Sequence, residues 1–422
     1  VVLKVKAGEK LVAEKNRIVI TGMGAITPLG LSVDEHWKRL TAGKSAIGPI
    51  TKFDTEKYPV KVAAEVKGFD PEKYMEIKRV DRTSLCTQFS IAAAGMALKD
   101  AQIDIEKERP ERIGTIIATS GSMDMLIDEG DVLNRRGPMR INPLLISKIS
   151  PSMVSAITAL EFGLQGPNSS LNSACASGND AIGTAMNLLR LGHADIVFAG
   201  GAETQVNRLA IAVTGRVGAL SRQPDPEKAC RPFDINRDGM VYGEGAAILV
   251  LETLEHARQR GASILAEVAG AGWSFDAFNE TAPDPELEAV AMKAALNDAG
   301  VNPKEVDYIN AHGTSTKFND AAETKAMKIF FGEQAYRIPV SSNKSMIGHL
   351  ACAAGAVEAI GAVMTVKEGI IPPTIHYETP DPDCDLDYVP NNAREQPVNV
   401  CLSNSFGMGG QNCCIVIKKY TG

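Results

Sequence analysis

Midway along its 422 residues the chain starts over. Ile264-LAEVAGAGWS repeats the pattern of Arg17-IVITGMGAIT, an apolar run entering glycines. Met96-ALKDAQID is echoed by Ala294-ALNDAGVN, and each leads through a polar stretch to another apolar run, Arg112-IGTIIATSG and Asp307-YINAHGTST. A third echo pairs Ser152-MVSAITAL with Ser345-MIGHLACA, and both halves close on an apolar run, Ala247-ILVLE and Cys414-IVIKK. Echoes in one order predict a duplicated unit, packed lobe on lobe, with its break near Arg260. The halves are 17–262 and 263–422; residues 1–16 read as a linker, a trimmed presequence or an added segment. Helical patterns over Val33–Leu40 and about Ser84–Ala101 alternate with the short apolar runs, which predicts the α/β class.

Glycine and small residues mark two helices for burial between sheets. One follows Cys175 (Ala-Ile-Gly-Thr-Ala), the other follows His349 (Leu-Ala-Cys-Ala-Ala-Gly-Ala). A central layer of these two would bring a cysteine and a histidine from opposite halves to one place. Cys175 stands where Asn168-SSLNSACASG turns into a helical pattern, so free N–H groups and the positive helix end favour its thiolate. Ser177 and Gly178 leave room for a carbonyl beside it.

Of six histidines, His36, His193 and His256 lie among charged neighbours on expected surface helices, and His376 follows the Pro372-Pro373 loop. His312 ends an apolar run and opens into Gly-Thr-Ser-Thr; His349 enters the second small-residue helix. Two histidines facing a cysteine make the constellation of thiol-based acyl transfer. Net charge of −7 argues against nucleic acid as partner, and no apolar run is long enough to span a membrane. Eight cysteines without CxxC spacing suit a reducing compartment and suggest no metal site.

Asn172-SACASG, Asn310-AHGTST, Asn343-KSMIGHLACAAGAVEAI and Asn404-SFGMGGQN together resemble the elongating β-ketoacyl-[acyl carrier protein] synthases of fatty-acid synthesis. Arg231-PFDINRDGMVYGEGAAILVLE is similar to a further signature of that family, and the resemblance runs from about Arg17 to Tyr420. It implies a thiolase-like fold in five layers, αβαβα, and a homodimer. It also implies a decarboxylative Claisen condensation of malonyl-carrier protein with an acyl chain held on Cys175. No metal or redox cofactor is implied; substrates ride on the phosphopantetheine of an acyl carrier protein. A bacterial cytoplasm is expected, or a plastid or mitochondrial matrix if a presequence was removed.

By position, the resemblance makes Cys175 the nucleophile, His312 and His349 the active-site pair, Lys344 the lysine before the second histidine, and Phe406 the gating phenylalanine. Asp320 and Glu323 fall where the family keeps supporting acids, and Met123 and Met125 in the loop that lines the acyl pocket. Backbone N–H groups of Cys175 and Phe406 are the expected oxyanion donors, and Gly407-Met-Gly-Gly the hinge of the gate. Lys317-Phe-Asn stands where the family has a Pro-Ala-Gly-like turn. An acidic carrier meeting an acidic chain needs a local basic patch; Lys78-Arg79 with Arg82 matches the family's docking region, and Arg135-Arg136 with Arg140 is the second candidate.

Rival classes share the fold. Partner subunits of the chain-length-factor kind lack the cysteine, and degradative thiolases carry a second catalytic cysteine in a C-terminal glycine motif where this chain has Phe406. A condensing ketosynthase of a type II polyketide or specialised fatty-acid pathway stays open as the alternative.

Overall fold

A computed structural model describes residues 16–422, so the extension assigned to residues 1–16 lies, save for Asn16, outside the described residues. Ten strands form one sheet: β1 (Ile18–Ile26), β2 (Ile113–Ala118), β3 (Asn168–Leu171), β4 (Ile196–Thr204), β5 (Glu244–Thr253), β6 (Ala266–Phe275), β7 (Tyr308–Asn310), β8 (Val340–Ser341), β9 (Val400–Gly407) and β10 (Gln411–Lys418). Their order is β8-β7-β9-β10-β6-β1-β5-β4-β2-β3. Outward from the centre, each half therefore repeats the same course, β1-β5-β4-β2-β3 and β6-β10-β9-β7-β8. Directions repeat as well: the first two junctions of each half are antiparallel and the last two parallel. The halves join where Ile18–Ile20 pairs antiparallel with Ala266–Val268.

Six long helices complete the repeat: α1 (Leu85–Asp100), α2 (Pro151–Phe162), α3 (Ser177–Arg190), α4 (Pro285–Ala299), α5 (Lys317–Phe331) and α6 (Ala354–Glu368). Helices α1 and α2 cover the outer face of the first half, α4 and α5 that of the second, while α3 and α6 pack on each other and on strands of both halves. The result is the five-layered α/β arrangement αβαβα, a thiolase-like fold.

Strand alternation explains why the central strands are apolar throughout. On β5, Ala247, Leu249 and Leu251 enter the middle core with α3 and α6, whereas Ala246, Ile248 and Val250 face the outer core with α1. On β10, Ile415 and Ile417 face inward and Cys414 and Val416 outward. A strand buried on both faces has no polar side to show. Cys413 and Cys414 are both buried there, as strand core.

The glycines of the first echo are packing devices. A Cβ on Gly24 would lie 2.0 Å from the Ala93 carbonyl of α1, and one on Gly272 would lie 2.1 Å from the Ala295 nitrogen of α4. Gly178 belongs to the same class and not to substrate access: its Cβ would stand 2.5 Å from the Ala356 nitrogen, so it lets α3 and α6 touch.

One echo is not structural. Ser152 opens α2, whose counterpart by topology is α5, whereas Ser345 lies in a short helix, Lys344–Ile347, before α6. The matching pair is instead Ala174-Cys-Ala-Ser-Gly and Ala351-Cys-Ala-Ala-Gly, each a 3-10 turn leading into α3 or α6. Lys317-Phe-Asn is no turn either; it is the first turn of α5, capped by the Thr316 side chain. His36 is fully buried, with Nδ1 3.0 Å from the Thr27 hydroxyl, and burial holds it neutral with a pKa of about 4. His256 is partly buried between Glu252 and Glu108, and His376 is likewise partly buried, with Nδ1 2.9 Å from the Cys230 carbonyl. No helix among the described residues is long and apolar enough to cross a membrane.

Candidate active site

Cys175 is not on a helix but in the 3-10 turn Ala174–Ala176 before α3. Ala174 takes φ +49°, a left-handed conformation that an L-residue holds only where its surroundings impose it. Those surroundings are local: Ser177 Oγ donates to the Ala174 carbonyl at 2.5 Å and accepts from Ser173 N–H at 2.8 Å, while Asn172 Oδ1 accepts from Ala174 N–H at 3.2 Å. The helix end was expected to favour the thiolate. Burial outweighs it and pushes the thiol up, partly offset by the Met408 N–H and the Lys344 charge. Cys175 therefore rests as a thiol.

His312 follows β7, and His349 follows Gly348, whose φ is +68°. The Arg231–Glu244 segment anchors both. Val241 accepts from His349 N–H at 2.7 Å, and Gly243 donates to the His349 carbonyl at 2.9 Å. Arg231 N–H donates to Ser315 Oγ at 2.9 Å, and Phe233 N–H to Asp320 at 2.8 Å, holding the loop after His312. Asp320 also accepts from Ser315 N–H at 3.2 Å and lies 3.5 Å from Arg237. Glu323 accepts from the N–H groups of His312 and Gly313, both at 2.8 Å, and from Asn404 at 3.0 Å. Both acids thus support the loop and neither touches an imidazole nitrogen.

Ligand-capable atoms of Cys175, His312 and His349 all lie within 4.8 Å of one another. The imidazole tautomers follow from their partners. Lys344 Nζ, which can only donate, lies 3.4 Å from His312 Nδ1, and Ala351 N–H donates to His349 Nδ1 at 3.2 Å. Each ring therefore carries its proton on Nε2, and His349 Nε2 is buried with no protein partner. Burial and the Lys344 charge hold both histidines well below the usual imidazole range, so both are neutral donors. The same tautomers oppose a metal, since a ligating nitrogen needs a free lone pair and these two Nε2 atoms carry hydrogens.

Lys344 is 1% exposed, pairs with the buried Glu358 and donates to the His312 carbonyl at 2.6 Å. Glu358 and Glu323 are each pushed up to about 7 by burial. Glu358 was not singled out from the sequence. Its signal was there: a lone acid inside the apolar run Ala351-CAAGAVEAI needs a buried cation.

Phe406 stands in the ladder before the glycine turn: its ring is 4% exposed and sits edge-on to His312, centroids 6.0 Å apart, and its backbone pairs with Asn412 in the β9–β10 ladder. The turn beyond it brings an N–H to bear on the thiol: the Met408 N–H favours the Cys175 thiolate, while the Met408 side chain is exposed at the hairpin tip. Asp276 and Glu280 tie this turn down, through Asp276 N–H to Gly410 O at 2.9 Å and Gly409 N–H to Glu280 O at 3.0 Å.

Met125 lines a cavity of about 320 Å³ whose wall mixes apolar Phe53, Leu85 and Val206 with polar Lys52, Asp124 and Arg208; Met123 is exposed to solvent. In the basic cluster, Lys78 and Arg82 are exposed, but Arg79 is partly buried and paired with Glu161 at 2.7 Å. That pair engages Arg79 within the chain and leaves Lys78 and Arg82 as the exposed cations of the cluster.

Residues 15–257 match the model of the beta-ketoacyl synthase N-terminal domain, and residues 265–378 that of the C-terminal domain. The 3-oxoacyl-[acyl-carrier-protein] synthase 2 of Coxiella burnetii is 44% identical over 410 residues, 96% of this chain and 99% of that one. The protein of the same name from Synechocystis is 44% identical over 96% of this chain and 99% of its own. Among solved structures, the ishigamide ketosynthase/chain length factor matches with TM-score 0.91 and 38% identity over 96% of this chain and 100% of that chain. A type II polyketide ketosynthase in complex with its acyl-carrier protein matches with TM-score 0.88 and 34% identity, over 96% of this chain and all (100%) of that one. With matches along nearly its whole length and a five-layered fold that brings Cys175 to His312 and His349, the chain belongs to the β-ketoacyl synthase family.

Proposed function

We propose that the chain is a 3-oxoacyl-[acyl carrier protein] synthase, an acyltransferase that joins a malonyl-derived carbon unit to an acyl chain held on Cys175. One observation carries the reading: two neutral imidazoles, protonated on Nε2, converge with a thiol within 4.8 Å. Thioester exchange comes first. The Cys175 sulfur attacks the acyl carbonyl, the phosphopantetheine thiol leaves, and the proton lost by Cys175 ends on that thiol. N–H groups of the Cys175 turn and of Met408 stabilise the tetrahedral oxyanion. Malonyl-carrier protein then loses CO2, and the Nε2–H groups of His312 and His349 donate to the enolate oxygen. The enolate carbon attacks the acyl carbonyl, the C–S bond to Cys175 breaks, the β-ketoacyl product leaves on the carrier, and the Cys175 thiolate takes a proton from solvent to restore the thiol.

Lys344 is a positioning residue here: its ammonium sets the His312 tautomer and keeps both rings from charging. A carrier protein is the partner, met at Lys78 and Arg82. A homodimer is supported by the edge strand β3 and by the exposed Leu133, Met139 and Ile146 in the segment between β2 and β3. We place the protein in a bacterial cytoplasm, which suits eight unbridged cysteines. No cofactor enters the scheme.

The test is mass spectrometry of carrier-bound product after incubation with acyl- and malonyl-carrier protein. Wild type should yield the β-ketoacyl carrier and Cys175→Ala none; product from the variant would overturn the reading. A second reading, a polyketide or specialised condensing enzyme, is favoured by the likeness to the ishigamide ketosynthase/chain length factor and to a type II polyketide ketosynthase. Acyl donors of graded length, plain and oxygenated, separate the two.

A further inference from the structure

Cys175 has a twin. Ala174-Cys-Ala-Ser-Gly in the first half stands against Ala351-Cys-Ala-Ala-Gly in the second. Both leading alanines have positive φ, 49° and 45°, both turns are 3-10, and α3 and α6 each begin two residues after the cysteine. The two turns pack on each other, and Gly178 faces Gly355 where the helices meet. Cys352 thus occupies in the second unit the place that Cys175 holds in the first.

Their surroundings differ. Cys175 is partly exposed, whereas the other seven cysteines are buried, Cys352 at 3% exposure. The Cys352 Sγ lies 3.9 Å from Oδ1 of Asn172, three residues before Cys175, and the Glu203 carboxylate and the Ser177 hydroxyl both act on its thiol. Glu203, at the end of β4, is buried and held by Ser120 N–H at 3.1 Å, Ser120 Oγ at 2.9 Å and Thr204 N–H at 3.1 Å. A reachable thiol, a second thiol on the abutting turn and a carboxylate acting on that second thiol are the groups needed to form and close a sulfenic acid.

We propose that Cys352 is a resolving cysteine that protects Cys175 from irreversible oxidation. Hydrogen peroxide is the oxidant. The Cys175 sulfur attacks one peroxide oxygen, the O–O bond breaks, and two electrons leave sulfur, giving Cys175 sulfenic acid and water. Glu203 takes the Cys352 proton, the Cys352 sulfur attacks the Cys175 sulfur, and the S–O bond breaks. The departing hydroxide takes that proton as a second water, leaving a Cys175–Cys352 disulfide. A dithiol restores both thiols. Without the bridge, further peroxide carries Cys175 to the sulfinic acid, which a dithiol does not reverse. This needs only the Cys175 thiol and stands apart from the condensing activity.

The experiment treats the full chain with hydrogen peroxide, blocks free thiols with iodoacetamide, and maps peptides by mass spectrometry before and after dithiothreitol. The expected result is a linked pair of peptides carrying Cys175 and Cys352, two hydrogens lighter than their sum, and a Cys175 thiol that dithiothreitol returns. In Cys352→Ser, and equally in Cys352→Ala, Cys175 should gain two oxygens and be lost irreversibly several-fold faster than in wild type. Wild type that yields sulfinic acid with the variants' time course and no linked peptides overturns the proposal. The peptide map reads thiol chemistry alone, so it remains decisive even if the condensation assay fails.

Discussion

The ammonium of Lys344 donates to the His312 carbonyl at 2.6 Å and stands 3.4 Å from Nδ1 of the same ring. That one cation fixes where the His312 proton sits and cancels the buried charge of Glu358. Lys344→Met should cost about 3–5 kcal/mol in denaturant unfolding, because it strands a buried carboxylate. The double variant Lys344→Met with Glu358→Gln should recover much of that stability without recovering malonyl decarboxylation. Recovery of both would reduce Lys344 to a structural cation.

Two histidines titrating far below 6.5 leave a signature in pH. Decarboxylation should show no acid limb near pH 6.5, since both donors are already neutral there. Stability should behave differently. The unfolded chain takes up protons at these histidines as pH falls below about 6.5 and the folded chain does not, so their contribution is full above that pH and is lost on acidification. Glu323 and Glu358, raised to about 7, act with the opposite sign: their contribution is full below their ordinary value and is lost as pH rises through 7. His312→Asn with His349→Asn should flatten the acid side of the Tm–pH curve; an unchanged slope would mean the histidines are protonated when folded.

Cys175→Ala should abolish labelling of the chain by a radiolabelled acyl thioester. Cys413→Ala and Cys414→Ala, in the strand core, should retain it. His312→Ala and His349→Ala should still be acylated while losing decarboxylation. Wild-type decarboxylation in either variant would remove that ring from the enolate site.

Lys78 and Arg82 are exposed on the same short helix, Ile77–Arg82. Lys78→Glu with Arg82→Glu should raise the apparent KM for carrier-bound substrate and leave a small pantetheine thioester unaffected. Salt should draw wild type toward the variant, because exposed charges are screened over about 10 Å at 0.1 M. Equal slowing of both substrates would place docking elsewhere. Arg79→Ala, which breaks a part-buried pair with Glu161, should cost about 1 kcal/mol of stability.

The same substitution should have opposite signs at two glycines. Gly178→Ala drives a methyl to 2.5 Å from the Ala356 nitrogen and should destabilise by about 1–3 kcal/mol. Gly130, within the helix Met125–Arg136, has nothing within 4 Å of the added carbon, so Gly130→Ala should stabilise by about 0.5–1 kcal/mol. Thermal unfolding of the two variants checks both.

Periodicity and turn chemistry act over a few residues, and what they govern was legible in the chain itself. Apolar runs buried on both faces, the small-residue helices α3 and α6, and the echoes of β1 with β6 and of β2 with β7 declared a duplicated α/β unit. Cys175, His312 and His349 stood out because each lies at the end of an element, where side chains leave the ladder. What the linear pattern did not hold depends on groups far apart in sequence. Arg79 meets Glu161 and His36 enters the core only once the helices dock, so exposed and buried versions of both share one local sequence. Cys175 rests as a thiol because desolvation, a property of everything packed around it, outweighs the N–H groups beside it. Phe406 and Met408 are two residues apart and so share a side of the β9–β10 hairpin. Which N–H meets the Cys175 sulfur is set by where the hairpin turns against the Asp276–Glu280 segment, and that contact exists only in the folded chain.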